Sequence, residues 1–480
     1  MRLIYKTGIV FLIFLGLLSL FQFSTPYIIG FDGHINIKTA DLIKENGFFR
    51  EFPWAEHTIL SSDYADINLL FRILLIPFTF LDLELGAKIA AILFSALAFA
   101  VFYWFLAQNS IKYPFFWTLL YMFTAESLMY RFMELRQMPL VIALLLLTIY
   151  FLQGKKYFLL GIASMASVLL HSSFVFQLLI VALYFILEKI FSKRLDYRLL
   201  AYPFLGVIAG LLVNPYFPNN VYLLYAQIFE VNLLGNLYNA EWKPWPFMEF
   251  IKNNIMVLIY FAIIAFILIK EKKISKIKLL YLSMASLFLA YTFLSRRMQE
   301  YLIPFSILSL SLFLAPYIER FNKENFFKNV KIGCIIFIIL LASLNSFLLL
   351  KDIKNNTFLQ NFQSCAIWMQ QNIPKDSLVF NNAYAFPYLF LKNSDLRYTH
   401  GADLTYSYLY DKGEFERYMG ILQGTIVTDT DWIIKDYNPD YVFSGKIKQD
   451  RKLFEFIVKN KANYKAAYED EWCAVLEVKK

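Results

Sequence analysis

Long apolar runs, cut by short polar clusters, give this chain its first outline. The runs fall at 8–24, 85–107, 114–130, 139–152, 157–171, 173–189, 198–213, 254–269, 279–294, 301–317 and 332–350. An apolar run of about 17–25 residues suits a helix that crosses a bilayer. Arg2 and Lys6 precede the first run, but no small-residue cleavage site follows it, so it reads as an uncleaved span. Basic clusters then mark alternate connections: Lys112; Lys155/Lys156; Lys189/Lys193/Arg194; Lys270 to Lys278; and Arg320 to Lys331. Cytoplasmic loops collect Lys and Arg, so this alternation predicts eleven crossings, with the N-terminus cytoplasmic and the C-terminal tail outside. Residues 157–189 are bounded by basic residues at both ends and are too long for one crossing, so they must turn back near His171-Ser172-Ser173. Residues 67–81 are apolar too, but hold Arg72 and Pro77. Counting them as a crossing would invert every later loop, so they read as a helix lying at the outer surface.

Composition agrees with a polytopic α-helical membrane protein. Hydrophobic residues make up 59% and charged ones 17%, against about 25% charged in soluble domains. The net charge of +9 does not point to nucleic acid. From Lys351 onward there are 17 Lys+Arg and 17 Asp+Glu, so the whole excess lies in the membrane half. The predicted division is a transmembrane part, 1–350, with a long first external loop at 25–84, and an exoplasmic α/β domain at 351–480. Strands are expected at 377–382, 388–393, 441–445 and 473–479, and helices at 366–372, 412–422 and 450–460. Cys334 sits in an apolar run and reads as packing. Cys365 and Cys473 flank the tail domain; they read as free thiols, with pairing open if the domain is exoplasmic.

The topology gathers most remaining charge on the outer side. Just after the first span, FDGHINIK carries Asp32, with His34 and Lys38 as candidate substrate contacts. A carboxylate there can take a proton from a hydroxyl or bind a divalent metal; its bland role is a helix cap or a solvated loop start. Glu51, Glu56, His57, Asp63 and Asp66 read as loop solvation. YRFMELRQ places Arg131, Glu134 and Arg136 within pairing distance on a short helix, either as a neutralised loop or as an anion clamp. The loop 214–246 is rich in Pro, Asn and aromatics, and Glu241 beside Trp242 and Trp245 is its best sugar contact. SRRMQEYLIP sets Arg296, Arg297 and Glu300 at the outer end of a span, against the charge rule; arginine forks bind phosphate bidentately. His171 lies at a recessed outer turn. No nucleotide-binding loop, zinc spacing or nucleophile elbow is present in the sequence, and nothing in the tail forms a complete catalytic set, so the tail reads as an acceptor-binding element or a cap.

FDGHINIKTADLIKENGFF resembles the first-loop stretch of oligosaccharyltransferase catalytic subunits, with Asp32, Asn36, Lys38 and Glu45-Asn46-Gly47 at the matching positions. The surface helix is similar to that of the protein mannosyltransferase and aminoarabinose transferase branch. SRRMQEYLIP resembles the arginine-containing late external loop. Together these resemble the GT-C-fold membrane glycosyltransferases. That resemblance implies an inverting enzyme of the plasma (inner) membrane that moves a sugar from a polyprenyl-phosphate-type donor to a glycan, lipid or protein acceptor at the outer face. It makes Asp32 the catalytic base and the arginines the phosphate grip. The W-W-D acceptor motif and the second acidic metal group are missing, so a divalent metal (Mg or Mn) is an open option and no other cofactor is implied. RQMPLVIALLLL…LLHSS resembles polysaccharide polymerases, which supplies a polymerase or ligase as the alternative; a lipid or solute transporter is the non-enzymatic one.

Overall fold

The computed structural model describes residues 2–479 apart from 194, 232–240, 272, 322–326, 427–429 and 449. Arg194, Lys272, Lys323 and the middle of the 214–246 loop therefore lie outside the described residues. Each apolar run of the sequence forms helix. Among the described residues six helices are long and apolar enough to cross a membrane: Arg2–Gln22, Leu83–Gln108, Phe174–Ser192, Phe247–Lys270 and those beginning at Arg296 and Val330. A seventh crossing is made if Glu126–Met133 and Met138–Gln153, bent by 105°, count as one broken span. Pro114–Phe123, Tyr157–Leu170 and Arg198–Val213 are apolar but shorter. The expected run at 114–130 is thus two helices rather than one.

Helix packing follows side-chain size. Arg198–Val213 lies on Tyr157–Leu170, where a Cβ on Gly206 would run into the backbone carbonyl of Gly161. Gly206 and Gly210 are spaced as small-xxx-small, which brings helix backbones together where lipid gives no hydrophobic drive. Elsewhere aromatic rings fill the gaps, as where Phe14 stacks on Phe99 at 4.8 Å. Cys334 faces outward from its helix rather than into this packing, a correction.

Ion pairs sort the connections into two ends. Lys155 and Lys276 both meet Glu188, the first at 3.2 Å, and Arg198 pairs with Asp196 at 2.9 Å. At the other end, residues 30–36, 134–137, 241–245 and 295–300 meet one another. The loops that share an end are those the charge pattern grouped together.

The tail carries a five-stranded sheet of order β2-β1-β3-β5-β4, with β1 Leu378–Phe380, β2 Arg397–Tyr398, β3 Tyr441–Gly445, β4 Tyr464–Glu469 and β5 Cys473–Val478. β1 runs parallel to β2 and β3; β5 runs antiparallel to β3 and β4. Residues 388–393, expected as a strand, belong instead to the helix Phe386–Lys392, whose Phe386, Leu389 and Phe390 are all buried. A short fully apolar run has no periodicity to separate the two states. Cys365 and Cys473 are joined in a disulfide, against the free-thiol expectation, and tie the entry helix Gln363–Asn372 to β5.

The tail sits on the first loop rather than apart from it. Backbone N–H groups of Glu56 and His57 donate to the carbonyls of Tyr398 and Thr399 at 2.8 and 3.0 Å. Trp54 donates to Ser394 O at 2.7 Å. Arg397 meets Glu56 and Lys392 meets Glu84, both at 2.6 Å. The surface helix of the sequence reading is Leu69–Leu75 continued by a 3-10 turn at Ile76–Phe80.

Candidate functional site

The first loop opens on the helix Asp32–Asn46, which begins at Asp32 itself. Residues two apart on a helix point about 200° apart, so Asp32 and His34 cannot share a site. Asp32 faces a cavity of about 270 Å³. His34 is buried on the opposite side, hydrogen-bonded to Phe31 O at 3.3 Å and packed against Tyr388 of the tail. Burial pushes its imidazole down to about 4. Its expected substrate contact is corrected: His34 helps dock the tail. Lys38 is corrected likewise, since it pairs with Asp41 at 3.1 Å along its own helix and lines no cavity.

The 105° break after Met133 aims residues 134–137 at Asp32. Arg136, buried, pairs with Asp32 Oδ2 at 2.6 Å and donates to Glu134 at 3.2 Å and to Glu241 at 3.1 Å. Gly30, at φ +78°, makes room here: a Cβ there would overlap the Glu134 carboxylate. Asn36 anchors the bend by donating to Leu135 O at 2.7 Å and accepting from Arg72. Arg72 in turn meets Asp66 at 3.1 Å, and both are buried, so Asp66 is a paired group and not a solvated one.

Arg131 does not pair with Glu134 as the sequence spacing suggests. It donates to the buried Glu300 and lies 3.3 Å from Glu241. Burial alone raises the Glu241 carboxyl, but Arg131, Arg136 and Arg297 around it hold it well below the usual carboxylate range. The anion-clamp reading of Arg131 and Arg136 is therefore replaced: their guanidinium groups are taken up by carboxylates. Glu134 and Glu300 act within the same lattice and line neither the cavity nor its extension.

Arg296 and Arg297 separate because successive residues of the 3-10 turn Arg296–Met298 project about 120° apart. Arg296 turns onto Trp245 at 4.6 Å and Pro244 O at 3.4 Å. Arg297 lies over Trp242 at 4.9 Å and lines the cavity. Among the described residues no carboxylate lies within ion-pair distance of Arg297.

The cavity wall includes residues the sequence reading did not assign. Gln137, Gln227 and Tyr406 line it, as does Asp403 from the tail. Burial raises the Asp403 carboxyl. Tyr406 donates to Gln227 at 2.7 Å, so the tail closes against the membrane half over the cavity. No local motif announces these residues; they meet through contacts about 180 positions apart. Asp32, Glu134 and Glu241 all converge on Arg136. Among the described residues the one metal-like grouping is Cys365, Asp470 and Cys473, and its sulfurs are joined to each other.

No family model and no curated protein matches the sequence. Solved structures do. The apo oligosaccharyltransferase of Archaeoglobus fulgidus is similar with a TM-score of 0.65 at 11% identity, over 95% of this chain and 73% of that one. The same enzyme tethered to an acceptor peptide with an NVT sequon matches at 0.62 and 10% identity, over 98% and 74%. The archaeal oligosaccharyltransferase AglB in complex with an inhibitory peptide and a dolichol-phosphate matches at 0.62 and 10%, over 94% and 71%. The likeness covers the helices and the sheet-bearing tail together, and the chain has the GT-C fold of the oligosaccharyltransferases.

Proposed function

We propose that this protein is an inverting membrane glycosyltransferase. It transfers a sugar from a polyprenyl-phosphate-type lipid to an acceptor hydroxyl at the outer face of the membrane. The observation that carries the reading is one cavity holding both the Asp32 carboxylate and the carboxylate-free guanidinium of Arg297. Arg136 holds Asp32 Oδ2, and among the described residues Oδ1 has no protein partner. The acceptor oxygen would attack the anomeric carbon while its proton passes to Oδ1. The bond from that carbon to the phosphate oxygen breaks, and the phosphate leaves with the electron pair. Arg297 would stabilise the charge that develops there; positive charge fixed in advance at a developing anion is commonly the largest catalytic term.

Asp32, Glu134 and Glu241 are engaged by Arg136, so this reading routes no step through a metal. Chelation with EDTA is expected to leave turnover unchanged. The disulfide favours an oxidising compartment for the tail and hence an external site.

Asp32→Asn keeps the size of the side chain and removes the base. It is expected to lower sugar transfer from a polyprenyl-phosphate donor by roughly a hundredfold or more, with folding and lipid binding retained. Near-normal turnover in that variant would refute the assignment. A chain-length ladder in the product would instead identify a polymerase.

A further inference from the structure

Of the four histidines, His171 alone lines the cavity. It follows the helix Tyr157–Leu170 and precedes Phe174–Ser192. The backbone N–H of Ser173 donates to His171 Nδ1 at 3.1 Å. A backbone N–H can only donate, so Nδ1 accepts, and the neutral ring must carry its proton on Nε2. Among the described residues Nε2 has no protein partner. Burial, with Arg297 and Arg136 nearby, pushes the imidazole down to about 3, so the ring is neutral at ordinary pH.

A smaller cavity of about 60 Å³ adjoins the first and shares His171, Ser172, Gln227, Trp242 and Arg297 with it. Its other walls are Phe176, Tyr301, Val175 and Tyr291. Val175 and Tyr291 are also 39% and 37% exposed on the outside of the helix bundle. This cavity therefore reaches from Arg297 to residues of Phe174–Ser192 and Lys276–Thr292 that also show on the outside of the bundle. One end is polar and the other apolar, which matches an anionic headgroup on a hydrocarbon chain. The N-terminus of the 19-residue helix Phe174–Ser192 begins beside His171, and helix N-termini favour anions.

We propose that His171 is a donor-binding residue: its Nε2–H hydrogen-bonds a phosphate oxygen of the lipid beside Arg297, with the isoprenoid chain leaving past Val175 and Tyr291. This rests on the glycosyltransferase reading and names the phosphate subsite of that same cavity. A neutral imidazole adds a directed donor here without a second buried positive charge, so it holds the phosphate and fixes its orientation. Glutamine can place an amide N–H near the position of Nε2; leucine cannot.

The test is binding of undecaprenyl phosphate to the full chain in nanodiscs, with undecaprenol as the uncharged control. His171→Leu is expected to weaken phosphate-lipid binding roughly ten- to a hundredfold, the worth of a hydrogen bond to a charged group. His171→Gln should stay within about threefold of wild type, since it keeps a donor for that bond. Undecaprenol binding should not change in either variant. If wild type binds undecaprenyl phosphate and Arg297→Met loses it while His171→Leu does not, the role of His171 is overturned and the wider reading stands. If wild type binds the phosphate lipid no better than undecaprenol, the glycosyltransferase reading itself falls. Equal losses in the leucine and glutamine variants would show a packing role for His171 and overturn the donor assignment.

Discussion

Replacing Arg136 with methionine tests the electrostatic lattice that orients Asp32. Methionine keeps much of the side-chain length and removes the guanidinium. Three carboxylates then lose a partner, but unequally. The Glu134 side chain is 9% exposed, whereas those of Glu241 and Asp32 are 33% and 41% exposed. Breaking a buried pair by removing one member costs about 3–5 kcal/mol. Glu241 keeps Arg131 as a partner and Asp32 keeps solvent, so losing either pair costs about 0–1 kcal/mol. Arg136→Met should therefore destabilise the fold by about 4–6 kcal/mol, most of it from Glu134 left desolvated and unpaired. The same reasoning fixes the rescue. Arg136→Met with Glu134→Gln should regain about 3 kcal/mol or more, whereas adding Asp32→Asn instead should regain less than about 1 kcal/mol. Reversible unfolding in mixed SDS micelles, followed by tryptophan fluorescence, measures each variant. If the Glu134→Gln double variant is no more stable than Arg136→Met alone, the lattice is not what Arg136 supports.

Three further outcomes follow from local structure. Gly30→Ala should destabilise by at least about 1–2 kcal/mol, because a side chain at φ +78° is strained and its Cβ would displace Glu134; a melting temperature equal to wild type would contradict this. Burial raises Asp450 to about 6, with Asn382 and the Gly445 N–H as its partners. Its folded form holds the proton more tightly than the unfolded chain does. Tail stability should therefore fall as pH rises from about 4 to 6, by on the order of 3 kcal/mol, and level off above. Hydrogen exchange of β3 across that range reads the slope, which Asp450→Asn should flatten. Removing the Cys365–Cys473 disulfide opens a loop of 108 residues and should cost about 2–5 kcal/mol, visible as reductant-sensitive loss of tail protection against proteolysis.

Much of the architecture was legible because a bilayer imposes long apolar helices and sorts charge between its two sides. The helical runs, the return at His171 and the helix near Arg72 came from those constraints, but the count of eleven crossings did not carry over: among the described residues six helices are long and apolar enough to cross, or seven with the bent pair. The tail was less legible. Residues 388–393 are apolar without period, and helix or strand there is decided by packing under the sheet against the first loop. β4, which alternates only weakly, was missed for a related reason.

The site shows the same division more sharply. Sequence alone singled out Asp32, Arg131, Glu134, Arg136, Glu241 and Arg297, since charge at the ends of apolar spans is costly unless solvated or paired. It did not separate Arg296 from Arg297 or Asp32 from His34, because that depends on which way a helical turn faces. It paired Glu134 with Arg136 but did not find the distant partners: Arg136 also meets Glu241 from 105 positions away, and Arg131 meets Glu300 from 169. Local pattern determined which charged residues gather at one end of the helix bundle. Only the tertiary structure decided which arginine is consumed by carboxylates and which is left for an anion, because that follows from contacts between elements distant in the chain.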